Sequence, residues 1–186
     1  MKLRLLFLSL FFTGCSSLLP SVVTKTAETW SSYDSIQTAY DSVEKYKTTK
    51  KDLHNLGFDP YKNSNTMILN HLDIMKRFLV TQSVKIEDLD IGLQECIRSK
   101  TECFAYETRM KYLKRKRYGS TLLDIFNFEK NTRETGWSFS SIIVVQNEKV
   151  VFKTASSQPK IDNNENRKNP LGPFQSMESI LKNTVE

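Results

Sequence analysis

Five cations within seven residues, Lys111, Lys114, Arg115, Lys116 and Arg117, form the densest charge in the chain. Such a run could meet lipid phosphates, lipopolysaccharide or an acidic protein. It could equally be a solvated strand edge, or charge that discourages edge-to-edge pairing. Catalytic chemistry is harder to find. His54 and His71 are the only 2 histidines, and a metal or general-base role at either needs converging partners that the sequence does not place beside them. Glu87, Asp88 and Asp90 cluster without the spacing of a calcium loop. No serine sits in a Gly-x-Ser-x-Gly elbow, and the 6 glycines form no phosphate-binding loop. The expectation is a protein that is not an enzyme and carries no cofactor or metal.

The first fifteen residues are the most informative. Lys2 and Arg4 give a positive start, Leu5 to Phe12 is an apolar run broken only by Ser9, and small Thr13 and Gly14 precede Cys15. That order is a secretory signal, and the run is too short to span a bilayer as a helix. A cysteine after a small residue at the end of such a run resembles the lipobox of bacterial lipoproteins. Phe12 stands where that family usually has leucine. The resemblance implies cleavage before Cys15, diacylglycerol on its sulfur and acylation of the new amino terminus. Ser16, in place of Asp, implies the outer membrane, with the domain in the periplasm.

Assigning Cys15 to lipid leaves Cys96 and Cys103 in an oxidising compartment, where a disulfide is expected; two buried free thiols are the alternative. Loss of Lys2 and Arg4 with the signal lowers the formal charge from +6 to +4, too mild to argue for nucleic acid. The 11 phenylalanines and 7 tyrosines suffice for a core.

Four segments follow: signal peptide 1–14, lipidated tether 15–32, an α+β domain 33–158 and a disordered tail 159–186. The tether is rich in Ser and Thr, and Trp30 marks where order begins. Tyr33, Ile36, Tyr40, Val43 and Tyr46 recur at helical spacing. Thr49-Lys50-Lys51-Asp52 is a capping box opening a short helix with Leu53 and Leu56 inward, and Gly57 ends it. Met67 to Leu79 keeps helical spacing with Asn65 as candidate cap, although alternation through Ile68, Leu72 and Ile74 fits too. Leu89, Leu93, Cys96 and Ile97 predict a helix ending near Ser99.

Phe104, Tyr106, Thr108, Met110 and Tyr112 alternate with polar neighbours, which predicts a strand with one apolar face, stopped at Tyr118-Gly119-Ser120. Leu122 to Phe128 is an apolar insert. Gly136 opens a second strand, and a turn over Gln146 to Lys149 leads to a third through Val150, Phe152 and Thr154. After Pro159 the chain is Asp-, Asn-, Glu- and Lys-rich and is expected to be disordered.

Thr49, Leu53, Leu56, Gly57 and Pro60 resemble the start of small outer-membrane assembly lipoproteins of the SmpA/OmlA (BamE) type. The Gly-Met that usually precedes the threonine is missing, and Gly57 and Pro60 are one residue further apart. That resemblance implies N-terminal helices packed on a three-stranded antiparallel sheet, and a role in envelope assembly. The functional expectation is a lipid-anchored protein-interaction module with an envelope protein as partner; a lipid or cell-wall ligand-binding module is the alternative.

Overall fold

The alternation around Tyr106 predicts one apolar face, but the structure buries both. A computed structural model describes residues 19–26, 29–81 and 83–176; the expected signal segment, Cys15 and the last ten residues lie outside them. The strands are β1 (Ser21–Lys25), β2 (Thr66–Asn70), β3 (Cys103–Tyr118), β4 (Glu129–Gln146) and β5 (Lys149–Lys168). They form one five-stranded antiparallel sheet, with β3, β4 and β5 adjacent in sequence order and β1 and β2 each pairing with β3. The helices are α1 (Tyr33–Asp41), α2 (Lys50–Asn55), α3 (His71–Phe78), α4 (Ile91–Ser99) and α5 (Thr121–Ile125). The expected three-stranded sheet under N-terminal helices is therefore incorrect.

The chain divides into two compact units. Unit 1 comprises Met1–Val23, Lys114–Thr135 and Asp162–Glu186; unit 2 comprises Thr24–Leu113 and Gly136–Ile161. In unit 2, one cluster joins Ile36 of α1 and Leu53 of α2 to Tyr106, Phe139, Ile143 and Val150. On the opposite sheet face, Ile74 of α3 and Leu93, Cys96 and Ile97 of α4 pack on Ala105, Val144 and Val151. Consecutive strand residues Ile143, Val144 and Val145 are all fully buried, as a sheet covered on both faces requires.

Local chemistry explains the element boundaries. Helix α1 stops at Asp41, short of the predicted Tyr46. The Glu44 N–H is taken by the Thr48 hydroxyl at 2.7 Å and the Tyr46 N–H by the Val150 carbonyl at 2.6 Å. Thr49 and Asp52 cap α2 reciprocally, as expected. Gly57 ends it at φ 99°, and the Trp30 ring crosses so closely that a Cβ there would lie 2.8 Å from it. The Trp30 indole N–H donates to the Leu56 carbonyl at 3.2 Å.

The predicted helix from Met67 is half strand. β2 pairs with β3 from Thr66↔Thr108 to Asn70↔Phe104. Asn70 then caps α3 in a box with Asp73, a role expected of Asn65. Helix α4 ends at Ser99, and the Cys96–Cys103 disulfide ties its last turn to the first residue of β3.

Three further expectations fail. Part of the presumed tether, Ser21–Lys25, is strand β1. The presumed disordered tail forms β5 as far as Lys168, where polar residues pair through backbone groups without needing a core face. Likewise Gly136 lies inside β4, not at its start, because polar Glu129 to Thr135 already belongs to the strand.

The β4–β5 hairpin turns through Asn147 and Glu148 at φ 50° and 63°, a two-residue turn with both central residues left-handed. Glutamate is unfavourable there, so Glu148→Gly is expected to stabilise the protein by roughly 0.5–1 kcal/mol. An upward shift of the urea midpoint at unchanged m-value checks this; a lower midpoint would refute it.

Candidate functional site

A strand places alternate side chains on opposite faces, so β3 divides the basic run. In unit 1, Lys114, Lys116 and Tyr118 line a groove of about 630 Å³ together with Arg133, Thr135 and Asn164. Arg133 is fixed by paired hydrogen bonds to Asp162 at 2.9 and 2.8 Å. These bonds and the carboxylate charge hold its guanidinium above the usual arginine range. Lys114 and Lys116 make no ion pair among the described residues.

Arg115 and Arg117 point the other way. Arg115 pairs with Glu134, and Arg117 reaches the buried Asp124 at 2.8 Å. Both line a second groove, of about 510 Å³, with Pro20, Val22, Thr132, Glu134 and Glu165 among its other walls. Lys111 belongs to unit 2, where it borders a groove with Thr26, Ser138 and Ser156. The five cations therefore do not act as one patch. Two unpaired ammonium groups and a rigidly held guanidinium face a single groove, an arrangement suited to phosphate or carboxylate oxygens.

Arg133, Thr135 and Asn164 escaped the sequence reading. Arg133 lies in the uniformly polar stretch Glu129 to Thr135, which shows no alternation and is made a strand by pairing, not burial.

The histidines divide as well. His71 opens α3, whereas His54 of α2 lies between a hydroxyl and a carboxylate. Its Nε2 is 3.0 Å from the Tyr106 hydroxyl and its Nδ1 is 3.6 Å from Asp59. This is the convergence that acid–base chemistry would need. However, Tyr106 is 1% exposed, and burial, with Asp59 and further acidic groups adding to it, pushes its pKa up to about 12. The hydroxyl stays protonated at neutral pH inside the core, where it joins α2 to β3.

The acidic cluster is used internally. Asp88 accepts from the Lys85 N–H, Asp90 accepts from the Gly92 N–H and pairs with Lys45, and Glu87 pairs with Arg98. Among the described residues no group of His, Cys, Asp and Glu is placed to hold a metal ion, and no helix is long and apolar enough to cross a membrane. Comparison with protein families, with curated proteins and with solved structures finds no match to this chain.

Proposed function

We propose that the protein is a non-enzymatic, lipid-anchored protein of the outer membrane, with its domain in the periplasm, and that it binds an acidic segment of another envelope protein. The observation that carries this reading is the groove walled by Lys114, Lys116 and Arg133, where the two lysines lack the local neutralisation that Asp162 gives Arg133. An aspartate- or glutamate-rich segment would supply the missing charge and gain speed of encounter as well as register. A lipid-binding cavity between helices and sheet is the weaker alternative, because Ile36, Leu53, Phe58, Ile74 and Ile143 fill that space with no exposure at all. The likeness of Thr49 to Pro60 to assembly lipoproteins lends no weight, since the fold it implied is not the one formed.

Two measurements test the reading separately. A photo-crosslinking residue at position 116 should capture a protein in intact envelopes, and Lys114→Glu should abolish the capture. Equal capture from the same residue at position 153 would refute a specific partner. For the anchor, Cys15→Ala should lose all labelling by radioactive palmitate; unchanged labelling would refute lipidation at that residue.

A further inference from the structure

Unit 1 carries a surface that the groove does not explain. Ser120 caps α5, and the loop around it leaves Leu122 and Ile125 each 67% exposed, with Leu123, Phe126 and Phe128 also open to solvent. The segment after β5 is tied to the same loop. The Asn169 N–H donates to the Phe128 carbonyl at 2.8 Å, and its side-chain amide donates to the Asn127 carbonyl at 2.9 Å. Gly172 approaches so closely that a Cβ there would lie 2.7 Å from the Phe128 ring. Leu171 and Phe174, in this same segment, are 62% and 71% exposed.

Seven large exposed apolar side chains, in one loop and the segment tied to it, differ in kind from the scattered exposed residues of an ordinary monomer. The loop's own carboxylate, Asp124, is buried and bound by Arg117, so it presents no negative charge outward. Lys130, Arg167 and Lys168, on the strand ends that border the cluster, make no ion pair among the described residues.

We propose that this apolar cap enters one leaflet of an anionic phospholipid bilayer, with the bordering cations against its phosphates. The occupant is argued from the position of Pro20. The Pro20 carbonyl accepts from the Arg117 N–H at 3.3 Å, which places the start of the described chain beside the end of β3, just before α5. Cys15 is five residues earlier and lies within roughly 17 Å of Pro20 even if that stretch is fully extended. A lipid on Cys15 is thus within chain reach of that end of unit 1, and it and the apolar cap would meet the same leaflet. An amphipathic surface of this kind adds to a lipid chain as a second attachment. The choice of a bilayer as occupant, and of its leaflet, rests on the lipidation of Cys15 proposed above.

The test uses mature protein extracted from membranes and returned to vesicles of phosphatidylethanolamine and phosphatidylglycerol. A fluorophore is attached at Ile125→Cys, at Phe174→Cys, or at Gln158→Cys in unit 2. Lipids brominated in the acyl chain should quench the first two at least twofold more than the third. Equal quenching at all three positions, with Cys15 still labelled by palmitate, would overturn the proposal and leave the anchor standing. Quenching at 125 and 174 without palmitate on Cys15 would support insertion while removing the anchor.

The variant Leu122→Ser/Ile125→Ser/Phe126→Ser, checked by circular dichroism and an intact disulfide, should bring quenching at position 174 down to the control level. If the wild type forms dimers in detergent-free solution that this variant abolishes, and position 174 is not quenched, a second copy covers the cap and the proposal fails.

Discussion

Replacing Gly136 by alanine is expected to cost at least about 3 kcal/mol and to leave little folded protein at 37 °C. The reason is space. Gly136 lies in β4 beside β3, and a Cβ there would stand 2.0 Å from the Tyr112 carbonyl oxygen and 2.9 Å from its carbon. Both obstacles are backbone of a paired strand, so no side-chain rotation relieves them, and either the ladder opens or β4 shifts. Two indole and phenol rings raise the stakes: Trp137, the next residue, packs edge-on to Tyr33 at 6.1 Å, and any displacement of β4 disturbs that contact. Urea unfolding followed by tryptophan fluorescence measures the effect. A wild-type midpoint for Gly136→Ala would show that the close approach is not maintained in solution.

Removing the disulfide should be the next most damaging change. The bridge closes a separation of seven residues, for which the chain-entropy treatment gives roughly 2–3 kcal/mol. Its sulfurs are also core atoms: Cys96 has no exposure and Cys103 3%. The double change Cys96→Ala/Cys103→Ala therefore loses the cross-link and leaves a cavity beside Ile97 and Ala105. Reduction of the unmutated protein separates the two contributions, because it keeps the sulfur volume. Reduced protein should unfold at lower urea than oxidised protein, and the double variant at lower urea still. Identical midpoints for the oxidised and reduced forms would deny the bridge any stabilising role.

The sequence made some elements legible and hid others for physical reasons. The box of Thr49 and Asp52, the glycine at 57 and the hairpin after Gln146 were readable because each is a local arrangement completed within a few residues. β2 was misread because Met67 and Ile68 are exposed in a five-residue strand that leads directly into α3, so neither period had room to show itself. The outer half of β5 was misread because its stability comes from backbone pairing, which composition does not report.

The candidate groove was half legible. The cations of β3 stood out as a run, but only strand alternation reveals that Arg115 and Arg117 are neutralised while Lys114 and Lys116 are not. Arg133 depends on a partner 29 residues away, Asp162, and no local pattern announces such a pairing. The insert from Leu122 to Phe128 is legible as an apolar run, but only the structure shows that its large side chains stay exposed.

The pairing of β1 with β3 has a bearing on the order of folding. The Lys111 N–H and the Thr26 hydroxyl meet across 85 residues, whereas β3, β4 and β5 follow one another through short connections. Neighbouring hairpins close early, because little chain entropy is lost in joining them, and a contact so distant along the chain closes late. β1 therefore has no template until β3 exists, and a chain emerging amino terminus first would carry its earliest strand unpaired through more than half of its synthesis. At five residues β1 is a short strand, and a short unpaired strand offers little edge to other chains while it waits.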